Sequence, residues 1–353
     1  MESLFKVFMP KSISEGVEKI LYSGKLSSGK NVREFEQSVT RFLGVENFVA
    51  VNSYSSAAEI VWKIIGIGDG DEIIASPMSC LASNQPVVNR NAKIKWTDID
   101  PYVGSLDPDA VRKNITKHTK AILHYHWGGY PGYIDEILSV GHEFGIPVVE
   151  DAIESFGSEY KGKKLGNTGA DFTIFSFQPV RLPTTIDGGG IIAKKPEDHR
   201  KAILLRDYGI DRPNFRDNYG EIKTSCDISI SGIGAGLNEL GAYIGLNAMK
   251  ELPLLLSQQR DNAIKNKDII DEYNCEVIQH NETLPNYWIY SFLTQERHSM
   301  LVSLREKGLY ASKVHVRNDV YSVFGKYNSD LKGVNQFNDQ TLSIPCGWWI
   351  KSD

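Results

Sequence analysis

The chain has 353 residues and a mass of 39.5 kDa, more than one compact domain usually contains, which predicts two domains or one large domain with an appendage. Hydrophobic residues make up 41% and charged residues 24%, as in soluble globular proteins, and this excludes a disordered tail, a coiled coil and a collagen-like repeat. With 39 Lys and Arg against 44 Asp and Glu, the formal charge is −5, which argues against nucleic acid as the main partner and favours small molecules.

The cysteines and the apolar runs indicate in which cellular compartment the protein is expected. Cys80, Cys226, Cys275 and Cys346 form no CxxC pair and have no metal-ligand spacing, so we expect reduced thiols, no metal site and a cytoplasmic protein. The first ten residues lack the apolar core of a signal peptide. The longest apolar runs are about six residues, far short of the roughly 20 that a membrane span requires, so no membrane association is expected.

From about residue 46 to 195 the chain alternates short apolar runs with helical patterns. Strands are predicted at 48–51, 72–75, 93–96, 121–124, 147–150 and 172–176, and helices at 55–65, 107–115 and 134–144. This alternation predicts a parallel sheet covered on both faces, in which ligands bind beyond the carboxyl ends of the strands. That rule selects the segments 52–56, 76–80, 124–127, 151–154 and 176–181.

Beyond residue 195 the pattern changes. A helix is predicted at 197–208, an irregular polar stretch at 214–231, and a long helix from 238 to 256 that continues towards 273. Shorter strands and a helix at 297–307 then indicate a small α+β domain. We therefore predict a large domain at 1–250, which includes the N-terminal segment, and a small C-terminal domain at 251–353.

The most informative motif is Val148-Val-Glu-Asp151-Ala-Ile-Glu154, in which an apolar strand ends in a carboxylate. An Asp that caps a following helix would explain it equally well. Further on, Ser176-Phe-Gln-Pro-Val-Arg181 places a hydroxyl and a cation after another strand. A carboxylate, a hydroxyl and a basic residue converging on one crevice suit an anionic heteroaromatic ligand, whose ring nitrogen the carboxylate would keep protonated.

The segment 52–56 joins a strand to a helix and carries the hydroxyls of Ser55 and Ser56 in its first turn. Free N–H groups and the helix dipole favour a phosphate at such a position. A serine cap without any ligand is the alternative interpretation.

Taken together, these segments resemble the DegT/DnrJ/EryC1/StrS sugar aminotransferases, fold-type I enzymes that use pyridoxal 5′-phosphate (PLP). The resemblance runs from Ser23-Gly-Lys-Leu-Ser27 to Ser343-Ile-Pro-Cys-Gly-Trp-Trp349. It also includes the segments 32–36, 68–72, 98–101, 126–131, 150–152, 160–166, 205–209 and 314–319.

This resemblance implies an α/β fold of the fold-type I aminotransferase kind. It has a large domain with a mostly parallel seven-stranded sheet and a small C-terminal α+β domain. It further implies a nucleotide-linked keto sugar as substrate, glutamate as amino donor, and a homodimer whose active sites take residues from both subunits. The implied setting is the biosynthesis of 4-amino or deoxy sugars of surface polysaccharides.

The resemblance also implies roles for individual residues. Asp151 matches the aspartate that pairs with the pyridine nitrogen and keeps the ring an electron sink. Ser55, Ser56 and Ser176 correspond to the family's phosphate-binding hydroxyls. Gln178 lies in the same motif as Ser176 and is also expected to bind the cofactor. Glu154 stands where the family usually has Gln or His near the phenolic oxygen of the cofactor, a departure because a carboxylate would repel a phenolate. The residues expected to contact the substrate are His126, Arg181, His315 and Arg317.

The decisive departure is at residue 181. The family motif reads Ser-Phe-(Tyr or Gln)-x-x-Lys, and that lysine forms the internal aldimine and moves the proton; here the residue is Arg181. A guanidinium cannot form a Schiff base and is a poor general base because it stays protonated. PLP, or pyridoxamine 5′-phosphate (PMP), is therefore expected to bind non-covalently or not at all.

Other departures surround the same site. In the family, the stretch that corresponds to 232–239 carries an Asn that reaches the neighbouring subunit's phosphate, and an Arg; here Gly234 and Gly236 replace them. The aromatic residue that usually stacks on the pyridine ring is also missing, because Ser79-Cys-Leu81 occupies that stretch.

Four hypotheses remain open at this point. The first is a sugar-nucleotide aminotransferase in which Arg181 is an engineered substitution or a natural loss covered by another residue. The second is a dehydratase-like enzyme that holds PMP or PLP without a covalent bond. The third is a catalytically silent homologue that binds a sugar nucleotide or pairs with an active subunit. The fourth is a cofactor-free enzyme on the same fold.

Overall fold

The computed structural model describes residues 1–273, 275–325, 327–328 and 330–350. Its strands are β1 (Phe48–Val51), β2 (Glu72–Ala75), β3 (Lys93–Trp96), β4 (Ile99–Asp100), β5 (Ser105–Leu106), β6 (Thr119–Tyr125), β7 (Val148–Ala152), β8 (Glu159–Tyr160), β9 (Lys163–Lys164), β10 (Phe172–Ser176), β11 (Gly189–Ala193), β12 (Glu276–Val277), β13 (Thr283–Leu284), β14 (Tyr290–Leu293) and β15 (Thr341–Ile344). Its helices are α1 (Ser14–Leu21), α2 (Lys30–Leu43), α3 (Tyr54–Ile65), α4 (Leu81–Val88), α5 (Pro108–Asn114), α6 (Ile134–Phe144), α7 (Pro196–Leu205), α8 (Arg212–Phe215), α9 (Glu239–Asp271), α10 (Arg297–Glu306) and α11 (Lys332–Gln340).

The centre of the molecule is a seven-stranded sheet with the order β1-β11-β10-β7-β6-β2-β3. It is parallel except for β11, which pairs antiparallel with β1 and with β10. Apolar side chains are buried against helices on both faces, as such a sheet requires. This confirms the predicted α/β fold with its mostly parallel seven-stranded sheet.

Two central strands are longer than the sequence predicted, and this changes the setting of Asp151. β6 extends to Tyr125 and β7 extends to Ala152, because Tyr125 pairs with Asp151 across the two strands. Asp151 therefore lies within β7 and not after it. Since neighbouring residues of a strand point to opposite faces, Tyr125 and Asp151 share one face of the sheet, and His124 and Glu150 share the other.

The C-terminal part has its own small sheet, in the order β12-β14-β15. Its core packs Phe292, Leu304 and Leu342 together and includes Ala263 and Ile270 of α9. Helix α9 begins at the cap residue Asn238, whose side chain accepts a hydrogen bond from the Gly241 amide. The helix runs without a break past residue 250, so the domain boundary placed there stays a prediction.

None of the helices in the described part of the chain is both long and apolar enough to cross a membrane.

Candidate functional site

A buried carboxylate, Glu154, collects hydrogen bonds from several directions. It accepts from the Tyr125 hydroxyl at 2.6 Å, the Gly128 amide at 2.9 Å, Arg181 Nη2 at 3.4 Å and His315 Nε2 at 2.8 Å. Burial would raise the pKa of Glu154, but His315, Arg181 and Tyr125 outweigh it and hold that pKa below its usual value. We call these five residues the Glu154 cluster; its carboxylate is ionised and already fully engaged.

Arg181 enters the Glu154 cluster with part of its hydrogen-bonding capacity unused. Its guanidinium is 4% exposed and lies over the indole of Trp288, 3.9 Å from the ring centroid. Trp288 is held in turn by a hydrogen bond from its Nε1 to the Val180 carbonyl at 2.9 Å and by stacking on Phe5. Arg181 Nε and Nη1 are buried and have no hydrogen-bond partner among the residues that the structure describes. Such donors favour a ligand with acceptor oxygens.

Asp151 is the second buried carboxylate and is far less well satisfied. Its Oδ1 accepts from the Ile153 amide at 3.2 Å, while Oδ2 makes no conventional hydrogen bond. The hydroxyls of Ser83 and Tyr54 face this carboxyl and stabilise its charge, but burial dominates and raises the pKa of Asp151 to about 6. No helix begins directly after β7, so the alternative of a helix cap is wrong for Asp151.

Cys80 shows that the two carboxylates share one crevice. Its thiol lies close enough to Glu154, Arg181 and Asp151 to feel the charge of each. Burial, and then the Glu154 carboxylate, raise the pKa of Cys80 to about 11, so the thiol is neutral. The structure thus brings together the three charged residues that sequence analysis selected at this edge of the sheet.

The turn at 52–56 is built on a serine that the sequence analysis did not select. Ser53 caps α3: its Oγ accepts from the Ser56 amide at 3.1 Å and donates to Ser56 Oγ at 3.0 Å. Ser55 is exposed and Ser56 is half-buried. Gly189 of β11 lies directly against the turn, since a Cβ there would come within 2.4 Å of the Ser53 carbonyl oxygen. The glycine-rich stretch before β11 therefore lets two backbones approach closely.

Ser176 and Gln178 lie at the end of β10, next to Arg181. The Ser176 hydroxyl is buried and accepts a weak hydrogen bond from the Gln178 amide at 3.4 Å. The Gln178 carbonyl accepts from the Arg181 amide at 2.9 Å. The cofactor-binding roles of Ser176 and Gln178 stay predictions, although both residues border the crevice.

His126 lies elsewhere. It is fully buried, with Nε2 3.4 Å from Glu150 Oε1 and its ring packed edge-on against His124 at a centroid distance of 4.8 Å. The strand register puts Glu150 on the face opposite Asp151. No described contact joins His126 to the Glu154 cluster, so its predicted substrate role gains no support from its position.

Arg317 is engaged by its own loop. Its Nε and Nη2 donate to the two carboxylate oxygens of Asp319, each at 2.7 Å, and Nη2 also donates to the Asn328 carbonyl at 2.7 Å. The guanidinium lies over the Tyr327 ring at 4.5 Å. A bidentate, buried ion pair of this kind holds a loop in shape. Its predicted contact with substrate remains untested.

The loop that Arg317 holds also presents His315 to the crevice. Next to Arg317, Asn318 donates from Nδ2 to the Ser79 carbonyl at 3.2 Å and to Ser79 Oγ at 3.1 Å. Its amide donates to the Pro77 carbonyl at 2.8 Å. The segment 314–320 is thereby fixed to the loop that follows β2, and His315 reaches Glu154 across it.

Gly234 and Gly236, which stand where the family has Asn and Arg, lie in the segment beside the 52–56 turn. Gly236 bridges Val51, and the Ala235 carbonyl accepts from the Asn52 amide at 2.9 Å. A Cβ on Gly236 would meet no atom of the described residues within 4 Å, whereas one on Gly234 would collide with the Tyr208 hydroxyl. Packing against the described part of the chain therefore does not require a glycine at 236.

Sequence reasoning missed Tyr125, Trp288 and Tyr54. Tyr125 could have been found by counting alternate residues along β6, since it shares a face with Asp151. Trp288 gives no local signal, because its contact with Arg181 joins segments more than a hundred residues apart. Tyr54 lies inside a turn that was judged by its hydroxyls alone.

Comparisons with known proteins agree with this architecture. The profile of the DegT/DnrJ/EryC1/StrS aminotransferase family matches residues 9–353. A UDP-4-amino-4,6-dideoxy-N-acetyl-beta-L-altrosamine transaminase of Campylobacter jejuni is 26% identical over 352 residues, covering 94% of this chain and 89% of the relative. The spore coat polysaccharide biosynthesis protein SpsC of Bacillus subtilis is 26% identical over 342 residues, covering 93% and 88%.

Among solved structures, the sugar aminotransferase CalS13 from Micromonospora echinospora superimposes with a TM-score of 0.92 at 27% identity, covering 100% of this chain and 96% of that one. AtS13 from Actinomadura melliaura gives a TM-score of 0.93 at 28% identity, covering 100% and 95%. The similarity therefore extends over the whole chain.

Proposed function

Because the chain belongs to the DegT/DnrJ/EryC1/StrS aminotransferase family, we propose that it binds a nucleotide-linked keto sugar in deoxyamino-sugar biosynthesis without forming an imine with a coenzyme. Members of this family use PLP to transfer an amino group to a nucleotide sugar. Compared with the family's activity, we propose the same class of substrate and the same role in surface-polysaccharide biosynthesis, but no imine formation with a coenzyme.

The observation that carries the proposal is the position of Arg181. It stands at the place of the family's lysine, buried, over Trp288 and against Glu154. Imine formation needs an amine, and a guanidinium does not supply one. Among the residues that the structure describes, no lysine is buried, which supports the proposal.

The other side chains of the crevice fit a covalently held PLP poorly. Glu154 is an ionised carboxylate where the family has a neutral partner for the phenolic oxygen. Gly234 and Gly236 offer no polar side chain beside the 52–56 turn. The one feature that suits a pyridine ring is Asp151 Oδ2, which makes no conventional hydrogen bond to the described residues and would accept one from a protonated ring nitrogen. Non-covalent PMP or PLP, the dehydratase-like alternative, rests on that oxygen alone.

Arg181 and His315 supply groups that suit a sugar instead. The buried Nε and Nη1 of Arg181 need acceptor oxygens, and the carbonyl and hydroxyl groups of a keto sugar offer them. His315 is oriented by its hydrogen bond to Glu154 and remains partly accessible, with 19% of its side chain exposed. These two residues would therefore bind and orient the sugar, while the Glu154 carboxylate fixes both of them.

The remaining expectations belong to the same proposal. A homodimer is proposed by family resemblance, a cytoplasmic location from the cysteine usage, and the boundary near residue 250 from the change of sequence pattern. Glutamate would serve as amino donor only in a variant whose amine chemistry has been restored.

The test is a pair of measurements on the purified full chain. With PLP, glutamate and a nucleotide-linked 4-keto-6-deoxyhexose, we expect no amino sugar by mass spectrometry. Calorimetry with the same sugar nucleotide should show saturable binding, weakened about tenfold or more in Arg181→Met, which keeps the packing on Trp288 and loses the donors. Formation of an amino sugar by the wild-type chain, or a lack of sugar-nucleotide binding, would overturn the proposal.

A further inference from the structure

One buried aromatic side chain in the crevice has no part in the proposed function. Tyr54 is the first residue of α3 and is 5% exposed. It packs in the same core cluster as Ile153, Met78 and Tyr125. Its hydroxyl is buried and makes no conventional hydrogen bond to any described residue. A buried tyrosine hydroxyl usually has a partner, so its position needs an explanation.

Tyr54 extends between the two positions at which the phosphate and the ring nitrogen of a coenzyme would bind. Its backbone lies in the 52–56 turn, directly after the cap residue Ser53, where a phosphate would bind. Its hydroxyl reaches the Asp151 carboxyl, the group that would meet a pyridine nitrogen. A pyridine ring that carries a phosphate would have to span these same two points. One phenol ring of this chain already spans them.

The surroundings of the hydroxyl support this geometry. Ser83 of α4 also faces the Asp151 carboxyl, and neither its Oγ nor the Tyr54 hydroxyl nor Asp151 Oδ2 makes a conventional hydrogen bond. Burial, and then the Asp151 carboxylate, raise the pKa of Tyr54 well above its usual value, so the phenol is neutral. The carboxyl that would hold a coenzyme nitrogen thus faces hydroxyls of the chain itself.

We propose that the phenol ring of Tyr54 occupies the space that the pyridine ring of PLP or PMP would need, so that this chain excludes the coenzyme sterically. The exclusion acts independently of Arg181: the arginine prevents a covalent bond, and the tyrosine prevents the ring from entering. The inference goes beyond the proposed function, because sugar-nucleotide binding through Arg181 does not require it.

The test measures PMP binding to the full chain by equilibrium dialysis. Wild type and Tyr54→Phe should both fail to bind PMP at millimolar concentration, since both keep the ring. Tyr54→Ala should bind it at least about tenfold more tightly than wild type, the effect of freeing a site for a preformed ligand. Asp151→Asn added to Tyr54→Ala should lose that gain, which would assign the new site to this carboxyl.

Two results would overturn the inference. Micromolar binding of PMP by the wild-type chain would show that the ring space is free. Weaker PMP binding by Tyr54→Ala than by a binding wild type would show that Tyr54 stacks on the coenzyme and does not displace it.

A second pair of variants covers the case in which Tyr54→Ala does not fold. Arg181→Lys restores the amine but keeps the phenol ring, so with PLP it should give no visible aldimine band. Arg181→Lys combined with Tyr54→Ser, a smaller and polar replacement, should give one. A band in Arg181→Lys alone would contradict the proposed exclusion. Sugar-nucleotide binding by the wild type is measured separately, so failure of the proposed function remains distinguishable.

Discussion

Two carboxylates three residues apart, Asp151 and Glu154, are both buried in the same crevice, yet their pKa values move in opposite directions. Glu154 accepts hydrogen bonds from four residues, one of which is the cationic Arg181. Asp151 accepts one amide and has a second oxygen without a conventional partner. Burial penalises both charges, and the partners of Glu154 outweigh that penalty whereas those of Asp151 do not.

The comparison predicts its largest effect at Glu154. Glu154→Gln leaves the buried Arg181 without an opposite charge, and we expect it to lower the free energy of unfolding by about 3 kcal/mol, measured by urea denaturation at pH 7. Glu159→Gln is the matched control, because Glu159 pairs with Lys164 and Arg260 at a half-buried site, and should cost less than about 1 kcal/mol. Equal losses in both variants would show that Glu154 is no more important than a peripheral carboxylate.

The second effect concerns pH. The folded-state pKa of Asp151 is about 6, above its ordinary 3.8, so the folded chain binds this proton more tightly than the unfolded chain. The contribution of Asp151 to the free energy of unfolding therefore increases as the pH falls from about 7 to about 4, by about 2 kcal/mol. Glu154 has the opposite effect. Because its pKa is lowered in the folded chain, its contribution to the free energy of unfolding is present at neutral pH and is lost as acid protonates its carboxylate.

Asp151→Asn isolates that contribution. The unfolding free energy of wild type minus that of Asp151→Asn should be about 2 kcal/mol more positive at pH 4 than at pH 7. The loss at Glu154 occurs in both proteins and cancels in the difference. A difference that stays constant with pH would mean that Asp151 titrates as in a solvated peptide.

The smallest expected effect on the free energy of unfolding comes from removing the phenol hydroxyl that faces each carboxylate, Tyr125 at Glu154 and Tyr54 at Asp151. The Tyr125 hydroxyl donates to Glu154 at 2.6 Å, whereas the Tyr54 hydroxyl faces Asp151 without a conventional hydrogen bond. Tyr125→Phe should therefore lower the unfolding free energy by about 1.5 kcal/mol, and Tyr54→Phe by less than about 0.5 kcal/mol. Thermal unfolding of the two variants side by side measures this, and a larger loss in Tyr54→Phe would reverse the assignment.

Much of the fold could be predicted because its signals are local. Phe48–Val51 and Phe172–Ser176 are runs of apolar and β-branched or aromatic residues, and the structure has strands at those residues. Asp151 and Arg181 were selected for the same reason, since each stands near the end of such a run. The long helix α9 followed from its periodicity.

The rest of the site depends on contacts between distant segments. His315 meets Glu154, and Trp288 meets Arg181, only after the C-terminal part has folded against the large sheet. His126 was selected in the segment that follows β6, but its imidazole lies near Glu150, which alternation along β7 places on the face of the sheet opposite Asp151. Tyr54 lay within a segment that was interpreted through its serines.

Helix α9 has a mechanical consequence. Its 33 residues make a rod of about 50 Å that contributes to the packing of both the large sheet's surroundings and the C-terminal core. A hinge near residue 250 would have to bend this rod, whereas the segment 314–320 is secured to the Ser79 loop by a few hydrogen bonds of Asn318. Moving His315 away from Glu154 would therefore require breaking the hydrogen bonds of Asn318 to Ser79 and Pro77, and it would not require α9 to bend.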